Sequence, residues 1–153
     1  MKKFEFAVLI LSLCAALSLL AACSPSAFSI NGKNINYGGR NLEIKNCYVR
    51  IDPDLPLSSY ASVPKSADNY TEVLKLFDGI DFSKSDEAFD EGMQMHYDTV
   101  GLSAENLKIR LFILSDGNVI AEAVANGKTN YYKANSVLNH DNVHEIISGH
   151  LYI

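Results

Sequence analysis

Two histidines four residues apart, in His140-Asp141-Asn142-Val143-His144, are the pairing in this chain best suited to chemistry. On a helix, residues i and i+4 share a face, and two imidazoles there can ligate zinc. The metalloprotease helix His-Glu-x-x-His works this way, with the glutamate as general base. Here the second position is Asp141, one methylene shorter, and no third ligand is evident except that His150 is near in sequence. A zinc site takes three or four protein ligands. His140 and His144 therefore read either as part of a metal centre or as two solvent-facing residues near a helix start.

The other reactive residues carry plainer explanations. Asp78, Asp81, Asp86, Glu87, Asp90 and Glu91 form an acidic run. Asp81-x-Ser83-x-Ser85 has the opening spacing of a calcium loop, but the sixth place is Asp86 instead of glycine and the twelfth is Gly92 instead of glutamate. A short solvated helix over about 85–91 is expected there, acidic where the helix dipole favours it. Asp116-Gly117 is a turn signal. No Gly-x-Ser-x-Gly elbow and no phosphate loop occur. Tyr131-Tyr132 in a strand puts one ring on each face of a sheet.

The N-terminus supplies an address. Lys2 and Lys3 precede an uncharged run from Ala7 to Ala22, and Ala21 and Ala22 precede Cys23. A basic start, an apolar run and a small-residue zone are the parts of a secretory signal. Sixteen residues rise roughly 24 Å as a helix, short of the ~30 Å hydrocarbon core. Leu20-Ala21-Ala22-Cys23 resembles the lipobox of bacterial lipoproteins, where cleavage before the cysteine is coupled to its lipidation. The resemblance covers four residues at the right distance behind an apolar run. It implies a signal peptide over 1–22, a lipidated Cys23 with a short tether over 23–27, and a bacterial source. It also implies a membrane held through the N-terminal lipid and a domain on the extracytoplasmic face. Two or more acyl chains anchor stably, at about 0.8 kcal/mol per buried CH₂.

Removing residues 1–22 leaves 131 residues, enough for one domain with its own core. Cys47 is then the one cysteine left besides Cys23, so no intrachain disulfide staples the domain. Cys47 reads as a small buried hydrophobe. The mature chain carries 11 basic and 17 acidic residues, a net charge of −6. That balance excludes nucleic acid as a partner and leaves membrane attachment to the lipid.

Residues 28–153 read as a single α+β domain. Phe28-Ser29-Ile30 and Ile35-Asn36-Tyr37 flank an Asn31-Gly32 turn, and Gly38-Gly39 follows. Leu42 to Ile51 reads as a strand with a parity shift near Asn46, and residues 53–65 as a Pro- and Ser-rich loop. A helix over 69–78 is capped by Asp68 or Asn69, buries Tyr70, Val73, Leu74 and Phe77, and ends at Gly79. A meander begins at Met93, where Met93, Met95 and Tyr97 alternate with Gln94, His96 and Asp98. It continues over Leu107–Ile113, Val119–Ala125 and Lys128–Lys133, joined by Ser115-Asp116-Gly117-Asn118 and Asn126-Gly127 turns. A last helix spans about 141–148, capped by Asn139 or Asp141, with Val143, Ile146 and Ile147 on its apolar face.

The expected architecture is an antiparallel meander of about five or six strands with one or two helices packed on it. The layout from Tyr70 to Ile147, a helix, a meander with a Ser-Asp-Gly turn and a Tyr-Tyr strand, then a terminal helix, is similar to small uncharacterised lipoproteins of Gram-positive bacteria. That resemblance brings no catalytic residue, cofactor or assigned activity. The expected function is a non-enzymatic, membrane-anchored surface lipoprotein that binds a protein, peptide or envelope component. The alternative is a metal-binding or zinc-dependent envelope enzyme using His140 and His144.

Overall fold

The computed structural model describes residues 25–51, 60–66, 70–90 and 96–151. Cys23, the Asp68 and Asn69 caps, Met93 and Met95 lie outside these residues. The elements are β1 (Ala27–Asn31), β2 (Asn34–Tyr37), β3 (Arg40–Glu43), β4 (Asn46–Ile51), β5 (Tyr60–Val63), α1 (Tyr70–Lys75), β6 (Asp81–Ser85), β7 (Tyr97–Ala104), β8 (Leu107–Leu114), β9 (Val119–Ala125), β10 (Lys128–Ala134) and α2 (His140–Gly149). All ten strands belong to one antiparallel sheet, in the order β3-β2-β1-β6-β10-β9-β8-β7-β4-β5.

The antiparallel sheet with two helices matches the expected class, but ten strands replace five or six. Only β7 to β10 and β1 to β3 follow one another as meanders. β6 joins the two groups by pairing with β1 and β10. Its sequence, Asp-Phe-Ser-Lys-Ser, buries only Phe82. With one apolar residue the period-2 signal is too weak to separate from a polar helix, so the expected helix over 85–91 gives way to a strand ending at Ser85, and 86–90 is not helical. Tyr60–Val63, expected within a loop, pairs with β4 as an edge strand.

The expected strand from Leu42 to Ile51 is two strands. The parity shift near Asn46 marks the crossing between them. Ile44 N–H donates to the Lys33 carbonyl at 2.8 Å, and Lys45 N–H donates to the Ser103 carbonyl at 2.7 Å. Neighbouring residues thus bond to opposite ends of the strand order, which is possible only because the sheet coils into a half-barrel. Ion pairs between Arg40 and Glu105 at 2.7 Å and between Lys65 and Glu43 at 2.8 Å span the same gap. Both are exposed and contribute little to stability.

One face of the sheet holds the core. The register aligns Val49, Val100, Leu111, Ala121 and Tyr132 across five strands, and all five are buried. Phe28 stacks on Phe82 at 4.5 Å and meets Tyr132 edge-on at 5.0 Å. Complete burial of such side chains stabilises by about 1.5–3 kcal/mol each. Helix α1 buries Tyr70, Val73 and Leu74 as its spacing predicts, and Phe77 beyond it is buried too. It ends at Lys75, before the expected 78. Its last bonds tighten to the i−3 type, Phe77 N–H to Leu74 and Asp78 N–H to Lys75. Asp78 then bridges to Ile30, and its carboxylate accepts the Gly32 N–H at 2.9 Å.

Candidate functional site

Asp98, Val100, Leu102 and Ala104 alternate along β7 and therefore share a face. That face is the core. Asp98 is paired in register with Ile51 and Ile113 and is 1% exposed. A carboxylate on such a surface is costly unless it is paired. Two histidines of α2 supply partners. His144 Nδ1 lies 2.9 Å from Asp98 Oδ2, and His140 Nε2 lies 3.7 Å from the same oxygen. The two imidazoles face each other with centroids 5.9 Å apart and planes 27° from parallel. One donor atom from each of the three residues falls within 4.8 Å of the others.

Local sequence places the helix that carries the two rings. Asn139 caps α2, its side chain accepting the Asn142 N–H at 3.1 Å. That makes His140 the first helical residue and puts His140 and His144 on one face. Val143 and Ile147 bury the adjoining face. The approach to the cap is fixed by the β8–β9 turn, where Leu138 N–H donates to the Gly117 carbonyl at 2.9 Å. Gly117 has φ +82°, and a Cβ there would collide with the Leu138 carbonyl oxygen. Beside it, Asp116 accepts the Asn118 N–H at 2.9 Å and the Asn118 side-chain amide at 2.7 Å. These bonds hold the exposed Asp116 carboxyl below its ordinary range. The Asp-Gly turn serves the scaffold, as its sequence suggests.

The histidine pair thus gains the third donor that the sequence did not reveal, and His150 is not that donor. His150 lies half-buried at the far end of α2, near Glu72, and burial lowers its pKa. Asp98 was obscured by an inverted alternation. Grouping Tyr97 with Met93 and Met95 assigns Asp98 to solvent, whereas Tyr97 shares the outer face with Thr99, Gly101 and Ser103. The visible signal was Val100, Leu102 and Ala104, which extend the core face back to position 98.

The outer face, free of both helices, carries a second set of groups. Its register row runs Tyr48, Gly101, Arg110, Glu122, Tyr131. Arg110 and Glu122 form a forked pair, Nε to Oε1 at 3.0 Å and Nη2 to Oε2 at 3.0 Å. The Tyr131 hydroxyl donates to the same carboxylate at 3.4 Å. Phe89 stacks on Phe112 at 4.0 Å, and Tyr48 lies 5.3 Å from the exposed Tyr60 ring. Two clefts meet at Tyr48 and Arg110. One, of about 330 Å³, also touches Tyr60 and Phe112. The other, of about 450 Å³, also touches Ser103 and Glu122. Tyr131-Tyr132 divides as expected, with Tyr132 in the core and Tyr131 outside.

Cys47 is 2% exposed, and burial pushes its thiol up to about 12, so it is an inert core residue. Asp81, Ser83 and Ser85 lie in β6 instead of a calcium loop. Among the described residues no helix is long and apolar enough to cross a membrane. Comparison with family models, curated proteins and solved structures finds no match for this chain, so function is argued from its own sites.

Proposed function

We propose that this chain is a bacterial surface lipoprotein whose folded domain binds a protein, peptide or envelope component without catalysing a reaction. The anchor half of this reading rests on Leu20-Ala21-Ala22-Cys23. Lipid on Cys23 holds the domain at the extracytoplasmic face of the cell membrane. Folded structure starts close behind, because β1 begins at Ala27 and the Tyr132 hydroxyl donates to the Pro25 carbonyl at 3.0 Å. Four residues at about 3.3–3.6 Å each span at most ~14 Å, so the domain sits near the lipid surface.

The observation that carries the binding half is the pair of adjoining clefts on the outer face. Sheet faces that lack a helical cover usually present scattered polar side chains. Here Tyr48 and Tyr60 stand beside a forked Arg110–Glu122 pair, and Tyr60 is 55% exposed. Rings that offer apolar area at low entropic cost, next to fixed hydrogen-bonding groups, are the chemistry of a recognition surface. The test is cross-linking of the lipidated protein in living cells, with mass spectrometry of what is captured. A partner captured by the wild type and lost with Tyr48→Ser plus Tyr60→Ser supports the reading. Capture no greater than that of a tether-only control, or unchanged in the double variant, rejects it.

A further inference from the structure

We infer that Asp98, His140 and His144 form a binding site for a divalent transition-metal ion, with zinc as the best fit. This inference is independent of the outer-face reading, because the site lies on the opposite face of the sheet. Three observations carry it. First, position 98 belongs to a row otherwise filled by Val100, Leu102 and Ala104, yet it holds a carboxylate buried to 1% exposure. Second, Asp98 Oδ2 already lies within hydrogen-bond distance of one imidazole, His144 Nδ1 at 2.9 Å. His140 Nε2 is turned toward the same oxygen from 3.7 Å, beyond hydrogen-bond reach. A second nitrogen donor is therefore aimed at a group that already has its bond. Third, the distances suit a metal. Ligands about 2.0–2.2 Å from a tetrahedral zinc lie roughly 3.3–3.5 Å from one another. The 2.9 and 3.7 Å separations from Asp98 Oδ2 bracket that value, and the three ligand atoms all lie within 4.8 Å of one another, so side-chain rotations can bring them onto one ion.

The donor set decides the class of ion. Two imidazoles and one carboxylate suit zinc, cobalt or copper, whereas calcium and magnesium take oxygen ligands. Three protein ligands leave a fourth position open. It faces solvent, because the His140 and His144 side chains are 21% and 44% exposed. The exposed Asp141 carboxylate stands 3.9 Å from His140 Nδ1, too far to hydrogen-bond the ring. A metal there would tie α2 to β7, the third strand from the β5 edge of the sheet.

The experiment uses the full chain, purified in detergent, stripped with chelator and titrated with Zn²⁺ by calorimetry. One ion per chain with a Kd tighter than about 10 µM is expected. Co²⁺ should give the visible absorption of a four-coordinate site. His140→Gln and His144→Gln should each weaken Zn²⁺ binding at least tenfold; His140→Gln should keep the wild-type thermal transition without metal, whereas His144→Gln should lower it, because it takes the hydrogen-bond partner of the buried Asp98. His140→Gln is the more informative variant, since His140 makes no hydrogen bond to Asp98. Wild-type binding no tighter than about 10 µM overturns the inference. So does tight binding that both variants retain, which would place the metal on thiols elsewhere in the chain, and so does a preference for Ca²⁺ over Zn²⁺.

Discussion

The Tyr48 ring on β4 lies over the Cα of Gly101 on β7, so close that a Cβ at position 101 would overlap the ring. The two residues are directly opposite in the strand register. Gly101 thus has a packing reason in the middle of a strand, where glycine otherwise weakens a sheet. The contact also sets the Tyr48 ring at the meeting of the two outer clefts, and burial there raises its phenol pKa. Gly101→Ala should destabilise the domain by about 1–3 kcal/mol through overpacking. In a Tyr48→Ala background the same change should cost clearly less. Urea unfolding of the four proteins in this cycle measures the coupling, and additive effects would refute the contact.

Gly117 and Gly127 separate two roles for glycine. Both have positive φ, +82° and +74°. Only Gly117 has backbone packed where a Cβ would go, whereas Gly127 has open space. Gly127→Ala should cost about 1 kcal/mol for its backbone conformation alone. Gly117→Ala should cost at least about 2 kcal/mol, because Leu138 and the start of α2 must move as well. Equal urea midpoints for the two variants would show that the turn does not dock the helix.

His150 should make the domain sensitive to acid. Burial lowers its folded-state pKa below the ordinary 6.5, and the charge of Glu72 opposes only part of that shift. Below pH 6.5 the unfolded chain therefore binds a proton more readily than the folded one. Stability from the neutral ring is complete above 6.5 and is lost as pH falls from there toward the lowered folded value. His150→Gln should flatten this part of the profile. Thermal melts between pH 7.5 and 5 should show a smaller loss in the variant than in the wild type. Parallel profiles would assign the slope to other groups.

Cys23 is the test of the address. Cys23→Ser should abolish incorporation of a labelled fatty acid and leave either an uncleaved precursor or a released chain. Labelling that persists in the variant would sink the lipobox resemblance. A chain beginning at Ser24 should unfold in one cooperative transition, since it keeps a buried core that runs from Phe28 to Ile147 through the sheet and both helices. Aggregation or a gradual melt would mean that the domain depends on a partner.

What the sequence determined by itself is what local pattern encodes. The i, i+3, i+4, i+7 spacing of Tyr70, Val73, Leu74 and Phe77 named the buried face of α1. Asn126-Gly127 named a turn that needs positive φ, and Asn139 was one of two candidate caps, with Asp141, between which the fold chose. Cys47 was legible as core, and His140 and His144 as a pair on one helix face. Tertiary structure alone decided which strands neighbour one another. It places β6 between β1 and β10 and bends the chain at Ile44 and Lys45 from one end of the sheet to the other. It also brought Asp98 under the histidines. Those residues are 42 and 46 positions apart, and no local periodicity spans such a separation. The carboxylate met the imidazoles only once the coiled sheet had set which face of β7 was inside and the Gly117 turn had laid α2 across it.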